Sequence, residues 1–135
     1  MKIIVLLLFS AFYTAYGQSN CLKKDLLGSW RQVESISGIQ SNIDSLIGLA
    51  TDSSKIIGTL TLNSDGTYTY VFLDSSPKKN KQYFFDASNC EIILGTNKKA
   101  SKNANLEIIY LDNRYLIFNE DNNPKGQITH ILSKN

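Results

Sequence analysis

The chain has 135 residues, and its 14 lysines and arginines against 12 aspartates and glutamates give a formal charge of +2. That length is one domain's worth of chain, and the near-neutral balance excludes a nucleic-acid partner recognised through a basic excess. Asn, Ser, Thr, Ile, Leu and Tyr dominate while proline (2) and methionine (1) are scarce, a mix that reads as strands joined by polar turns.

Residues 1–17 read as a secretory signal. Lys2 supplies the positive end, Ile3 to Phe9 the apolar run, and Ala15 and Gly17 the small residues a signal peptidase reads. Cleavage after Gly17 leaves 18–135 as the mature domain and, by losing Lys2, takes the formal charge from +2 to +1. The competing reading is a membrane anchor, but the apolar run is much shorter than the ~20 residues a span needs. The chain's 2 cysteines are Cys21 and Cys90, and in an exported protein they are expected to form a disulfide. The alternative is lipidation of Cys21, for which Gln18, Ser19 and Asn20 are a poor match. The expected location is the periplasm or the medium.

Alternation and turn signals divide the mature chain into 8 strands. They are expected at Trp30 to Ile36, Ile56 to Leu62, Thr67 to Leu73, Gln82 to Asp86, Cys90 to Leu94, Leu106 to Leu111, Tyr115 to Asn119 and Gln127 to Leu132. Between the first and second, Ser41 to Ala50 has the spacing of a short helix capped by Ser41 or Asn42. Ile43, Leu46, Ile47 and Ala50 would share one of its faces, and the first three are expected to dock over the mouth of the domain as a lid; the alternative is that the segment packs outside the barrel as a permanent brace.

The fold class is therefore all-β: an eight-stranded antiparallel up-and-down barrel with a possible short helix after its first strand. An open sandwich is the structural rival; closure removes the exposed edges. In such a barrel the connections alternate between the ends. The tight ones, "NSDG", "ASN" and "DN", all fall at one end, and the long ones all fall at the other. The result is a cup. Cys21 precedes the first strand and Cys90 opens the fifth, which places both at the closed end, where a bridge would tie Leu22, Leu26 and Leu27 across the floor. Trp30 is expected to plug that floor.

If Trp30 points inward, strict alternation sends Gln32, Glu34 and Ile36 inward too. Tyr68, Tyr70 and Phe72 join them, followed by Tyr83, Phe85, Ile92, Leu94, Leu116 and Phe118. An aromatic interior with a few polar groups suits a small-ligand pocket, with Gln32, Glu34, Tyr68, Tyr70, Phe72, Tyr83 and Phe85 as candidate ligand contacts. The alternative is a filled core with no cavity. His130 is the only histidine, so neither a metal cluster nor a Ser-His-acid triad can be assembled with support. No catalytic residue and no cofactor is assigned. "NEDNNPKG" offers oxygens for calcium, yet its spacing matches no known loop and reads as a solvated turn. Lys78, Lys79, Lys98, Lys99 and Lys102 crowd two loops of the open rim, for solubility or for attraction of an anionic amphiphile.

The stretch "DLLGSWRQVES", with Gly28, Ser29 and Trp30, resembles the Gly-x-Trp start of the lipocalin-like proteins in the calycin superfamily. "LTLNSDGTYTY" resembles a strand-turn-strand of the small exported bacterial members. The resemblance implies an exported monomer that binds a small hydrophobic or amphipathic molecule and catalyses nothing. The chain departs from larger lipocalins in lacking an arginine near its C-terminus to stack on Trp30, and it is shorter, so its cup should be shallow. A second function class stays open, in which the barrel is filled and the long loops bind another protein as an inhibitor or envelope assembly factor.

Overall fold

Turn chemistry and alternation set the strand boundaries. The computed structural model describes residues 21–38, 40, 42–52, 54–72, 80–95, 104–121 and 126–135. The leader expected at 1–17 and the rim lysines 78, 79, 98, 99 and 102 lie outside the described residues. A short helix, α1 (Lys23–Leu26), precedes β1 (Gly28–Ser37), and a second, α2 (Ile43–Asp52), follows it. The remaining strands are β2 (Gly58–Leu62), β3 (Thr67–Phe72), β4 (Lys81–Asp86), β5 (Glu91–Leu94), β6 (Ala104–Leu111), β7 (Tyr115–Asp121) and β8 (Gln127–Lys134). Each pairs antiparallel with the next, and β8 pairs back onto β1, so the 8 strands form a closed barrel rather than a sandwich. Neither described helix is long and apolar enough to cross a membrane.

The tight connections have local causes. In Asn63 to Gly66, Gly66 takes φ +84°, which an L side chain rarely adopts, and the Asp65 carboxylate accepts from the Thr67 backbone N–H at 2.9 Å. At the β6–β7 turn, Asp112 Oδ1 accepts the backbone N–H groups of Arg114 and Tyr115 at 2.7 Å each. Burial pulls the Asp112 carboxyl upward, but the Tyr110 hydroxyl and those N–H groups outweigh it and hold it below the ordinary value.

The closed end is filled. Trp30, Leu26, Leu62, Ile92, Leu116 and Leu132 are buried side chains of one inner cluster. Leu26 is the apolar residue of α1 that enters it, while Leu22 stays exposed. Trp30 Nε1 donates to the Leu26 carbonyl at 2.8 Å, so the indole is satisfied inside the floor. Lys134 takes the place an arginine was expected to leave empty: its Nζ lies 4.2 Å from the Trp30 ring centroid and donates to the Leu27 carbonyl. Burial pushes the Lys134 ammonium's pKa down, offset in part by Asp25. Cys21 and Cys90 form a disulfide with Cα atoms 5.7 Å apart, joining the segment that leads into α1 to the residue just before β5.

Strict alternation fails at one place in β1, and that failure redistributes its side chains. The register against β8 runs Gln32↔Leu132 and then Glu34↔Ile131, so Val33 is an extra residue, a β-bulge. Gln32 points inward, Val33 and Glu34 both fall on the outer face, and Ser35 turns inward opposite His130. Glu34 is thus not a cup residue, and Ile36 packs on the outside. A matching shift lies in β6 between Ile108 and Tyr110, which leaves Ile109 and Tyr110 on the outer face.

These outward residues explain where α2 goes. Val33, Ile117 and Ile131 form an apolar stripe on the outer wall of β1, β7 and β8, and Leu46 and Ala50 of α2 bury against it. Ile43 and Ile47 pack on the same cluster, and the Thr51 hydroxyl meets the Tyr115 hydroxyl at 3.0 Å. Asn42 caps the helix through the Ser45 N–H. The residues expected to form a lid therefore form a lateral brace, because Val33, Ile117 and Ile131 present one apolar stripe outward that takes the helix's apolar face.

Two stability outcomes follow. Cys90→Ser should lower the unfolding free energy by roughly 4 kcal/mol through loss of the loop closure, with the far-ultraviolet strand signal retained; an unchanged denaturant midpoint contradicts the bridge. Leu46→Ala should cost about 2–5 kcal/mol, as for a buried leucine in a core. A lid residue would instead cost well under 1 kcal/mol, as exposed positions do.

Candidate functional site

Above the filled floor the barrel is hollow. A cavity of about 480 Å³ opens toward the end with the long connections. Its deeper walls are Leu60, Leu94, Leu106 and Phe118, and its rim includes Ile57, Thr69, Lys81 and Ile128. Tyr68, Tyr70 and Phe72 form one aromatic wall because inward positions on β3 recur every second residue. The Tyr70 and Phe72 rings meet edge to face, with centroids 4.8 Å apart, and Phe72 is exposed at the mouth.

The facing wall is polar and comes from β1, β7 and β8. Gln32 is buried, and its Nε2 lies 2.6 Å from Ser35 Oγ and 2.9 Å from His130 Nδ1. Ser35 Oγ is itself 2.9 Å from His130 Nδ1. His130 Nε2 is 2.7 Å from Glu120 Oε2. Across the cavity mouth the Tyr70 hydroxyl donates to Gln32 Oε1. Gly58 makes that reach possible, since a Cβ there would stand 3.0 Å from the Tyr70 hydroxyl and 2.9 Å from the Val71 carbonyl oxygen.

The tautomer follows from the donors. An amide nitrogen can only donate, so His130 Nδ1 is an acceptor and the ring proton sits on Nε2, aimed at Glu120. The hydrogen bond from His130 lowers the Glu120 pKa against the upward pull of burial. Burial, with the Glu120 charge behind it, raises the Tyr70 hydroxyl. The wall is thus a neutral imidazole and amide leaning on a carboxylate.

Of the residues expected from sequence, Gln32, Tyr68, Tyr70 and Phe72 come together around the cavity. Tyr83 and Phe85 do not line it: Tyr83 is buried in the floor with its hydroxyl donating to the Asn63 carbonyl at 2.8 Å, and Phe85 packs against the same cluster. The turn at the closed end decides this, because Tyr83 donates its backbone N–H to the Gly66 carbonyl at 2.9 Å as well as its hydroxyl to Asn63. Glu34 is outside for the reason given above. Ser35, Glu120 and His130 are the residues sequence reasoning missed. Two of them carried a signal, since stepping by two from Leu116 and Phe118 reaches Glu120, and from Leu132 reaches His130 and then Ile128.

No protein family matches the chain, and no curated protein or solved structure matches it either.

The Glu120 carboxyl sets a pH dependence. Its folded pKa lies below the ordinary value of 4.5, so the stability it contributes is fully present above that value and is lost as pH falls through the folded pKa. The stability gap between the parent and Glu120→Gln should therefore narrow in denaturant titrations carried from neutrality into that acid range. A gap that is constant with pH contradicts the pairing with His130.

Proposed function

We propose that the protein is an exported, lipocalin-like carrier that holds one small hydrophobic or amphipathic molecule in the open half of its barrel and catalyses no reaction on it. The observation that carries this reading is the cavity of about 480 Å³, apolar and aromatic in depth and open at the end with the long connections. Its size falls in the range of small-molecule sites, ~300–1,000 Å³. The Gly28-Ser29-Trp30 entry into β1 and the Trp30 floor are compatible with the lipocalin-like resemblance. The Cys21–Cys90 bridge is compatible with an oxidising compartment, and hence with export as a free monomer.

Ser35, His130 and Glu120 touch in the order of a nucleophile, a base and an orienting acid. Acyl transfer also needs donors pointed at a developing oxyanion. The Gln32 amide hydrogens and the Tyr70 hydroxyl are already committed within the wall, and the nearest charge is the Glu120 carboxylate, which would repel an oxyanion. This favours binding over catalysis. The second reading, a filled barrel that recognises a protein through its loops, gives the hollow half no role.

Titration with the neutral fluorescent probe N-phenyl-1-naphthylamine should give a saturable rise in emission. Leu94→Trp, which fills part of the apolar lining, should weaken it by about tenfold or more, in line with the cost of overpacking. A flat titration of the parent protein contradicts the carrier reading.

A further inference from the structure

The polar wall of the cup has spent most of its donors and kept its acceptors. Gln32 Nε2 donates to Ser35 Oγ and His130 Nδ1, His130 Nε2–H donates to Glu120, and the Tyr70 O–H donates to Gln32. His130 Nδ1 has a single lone pair, which Gln32 occupies, so the Ser35 hydroxyl keeps its own hydrogen. What else remains open toward the cavity is lone pairs, on the second oxygen of Glu120, on Ser35 Oγ and on the Tyr70 oxygen. Glu120 is ionised and half-buried, and among the described residues its one salt-bridge partner is His130, which the tautomer makes neutral. Opposite this wall stand the Tyr68, Tyr70 and Phe72 rings, whose faces attract cations. A carboxylate facing aromatic rings over an apolar depth is complementary to one head chemistry and hostile to its opposite.

We infer that the ligand of the cup is a hydrophobic amine, its protonated nitrogen donating to Glu120 and its apolar body lying among Leu60, Leu94, Leu106 and Phe118. This rests on the carrier reading and gives it a substrate class. A carboxylate head would meet the Glu120 charge, against which the wall offers one neutral donor, the Ser35 hydroxyl. A neutral alcohol would be held by the same depth but would satisfy only one of the open acceptors. Among the described residues Lys81 is the one lysine or arginine lining the cavity, and it stands at the exposed rim, where water screens it.

Decylamine, decanol and decanoate share one tail and differ in the head, so calorimetric titration of the folded, oxidised protein with each isolates what the wall reads. The expected order is decylamine tightest, with Glu120→Gln weakening decylamine by roughly tenfold to a hundredfold, the range for one charge-assisted hydrogen bond, and weakening decanol far less. Decanoate binding most tightly overturns the inference in favour of Lys81 and leaves the carrier reading standing. Equal affinities for the three heads, or a decylamine preference that survives Glu120→Gln, also overturn it. Should Glu120→Gln fail to fold, the order measured on the parent protein decides. Failure of all three to bind removes the carrier reading together with the inference.

Discussion

The bulge at Val33 is the constraint on which both halves of this protein depend. Side chains on a strand alternate strictly, so one inserted residue exchanges inside for outside beyond it. Before the bulge β1 delivers Trp30 to the floor and Gln32 to the cup. Beyond it β1 delivers Ser35 to the cup and Ile36 to the outer wall, with Val33 and Glu34 both outside at the bulge itself. Without the shift, Glu34 would face His130 beside Glu120, placing two carboxylates on one apolar cavity, which is costly unless they are paired or protonated. The outer wall would lose Ile36 at the same stroke.

The barrel is divided by depth as well as by face. Its lower half is packed with Trp30, Leu26, Ile92, Leu116 and Leu132 and stapled by the Cys21–Cys90 bridge. The upper half is left open at the expense of that packing. A small domain buries little surface relative to its length, so a hollow half needs support elsewhere. The disulfide at the floor and the lateral packing of α2 on Ile117 and Ile131 supply it. Rigidity below and beside the cup leaves its rim free of structural duty.

Much of this was legible in the chain. The polar turns around Gly66 and Asp112 punctuate the strands, and the lengths of the connections separate a closed end from an open one. The two cysteines met where that geometry put them. The β3 stripe of Tyr68, Tyr70 and Phe72 was correctly read as a wall, since alternation there is uninterrupted. The bulges were not legible: an extra residue in β1 or β6 changes no local propensity and is visible only against the partner strand. Hence the misplacement of Glu34; the lid expectation failed separately, because Val33, Ile117 and Ile131, which alternation already turns outward, join into one stripe that takes the apolar face of α2. Depth along the barrel was equally hidden, which is why Tyr83 and Phe85 were grouped with residues that line the cavity.

Through-space proton contacts in solution test the inverted face of β1 most directly. The account predicts nuclear Overhauser contacts from the Ser35 methylene to the His130 ring, and from Ile36 and Val33 to the side chains of α2. Contacts from Glu34 to the His130 ring, with Ser35 showing none, would contradict it and with it the polar wall on which the site is built.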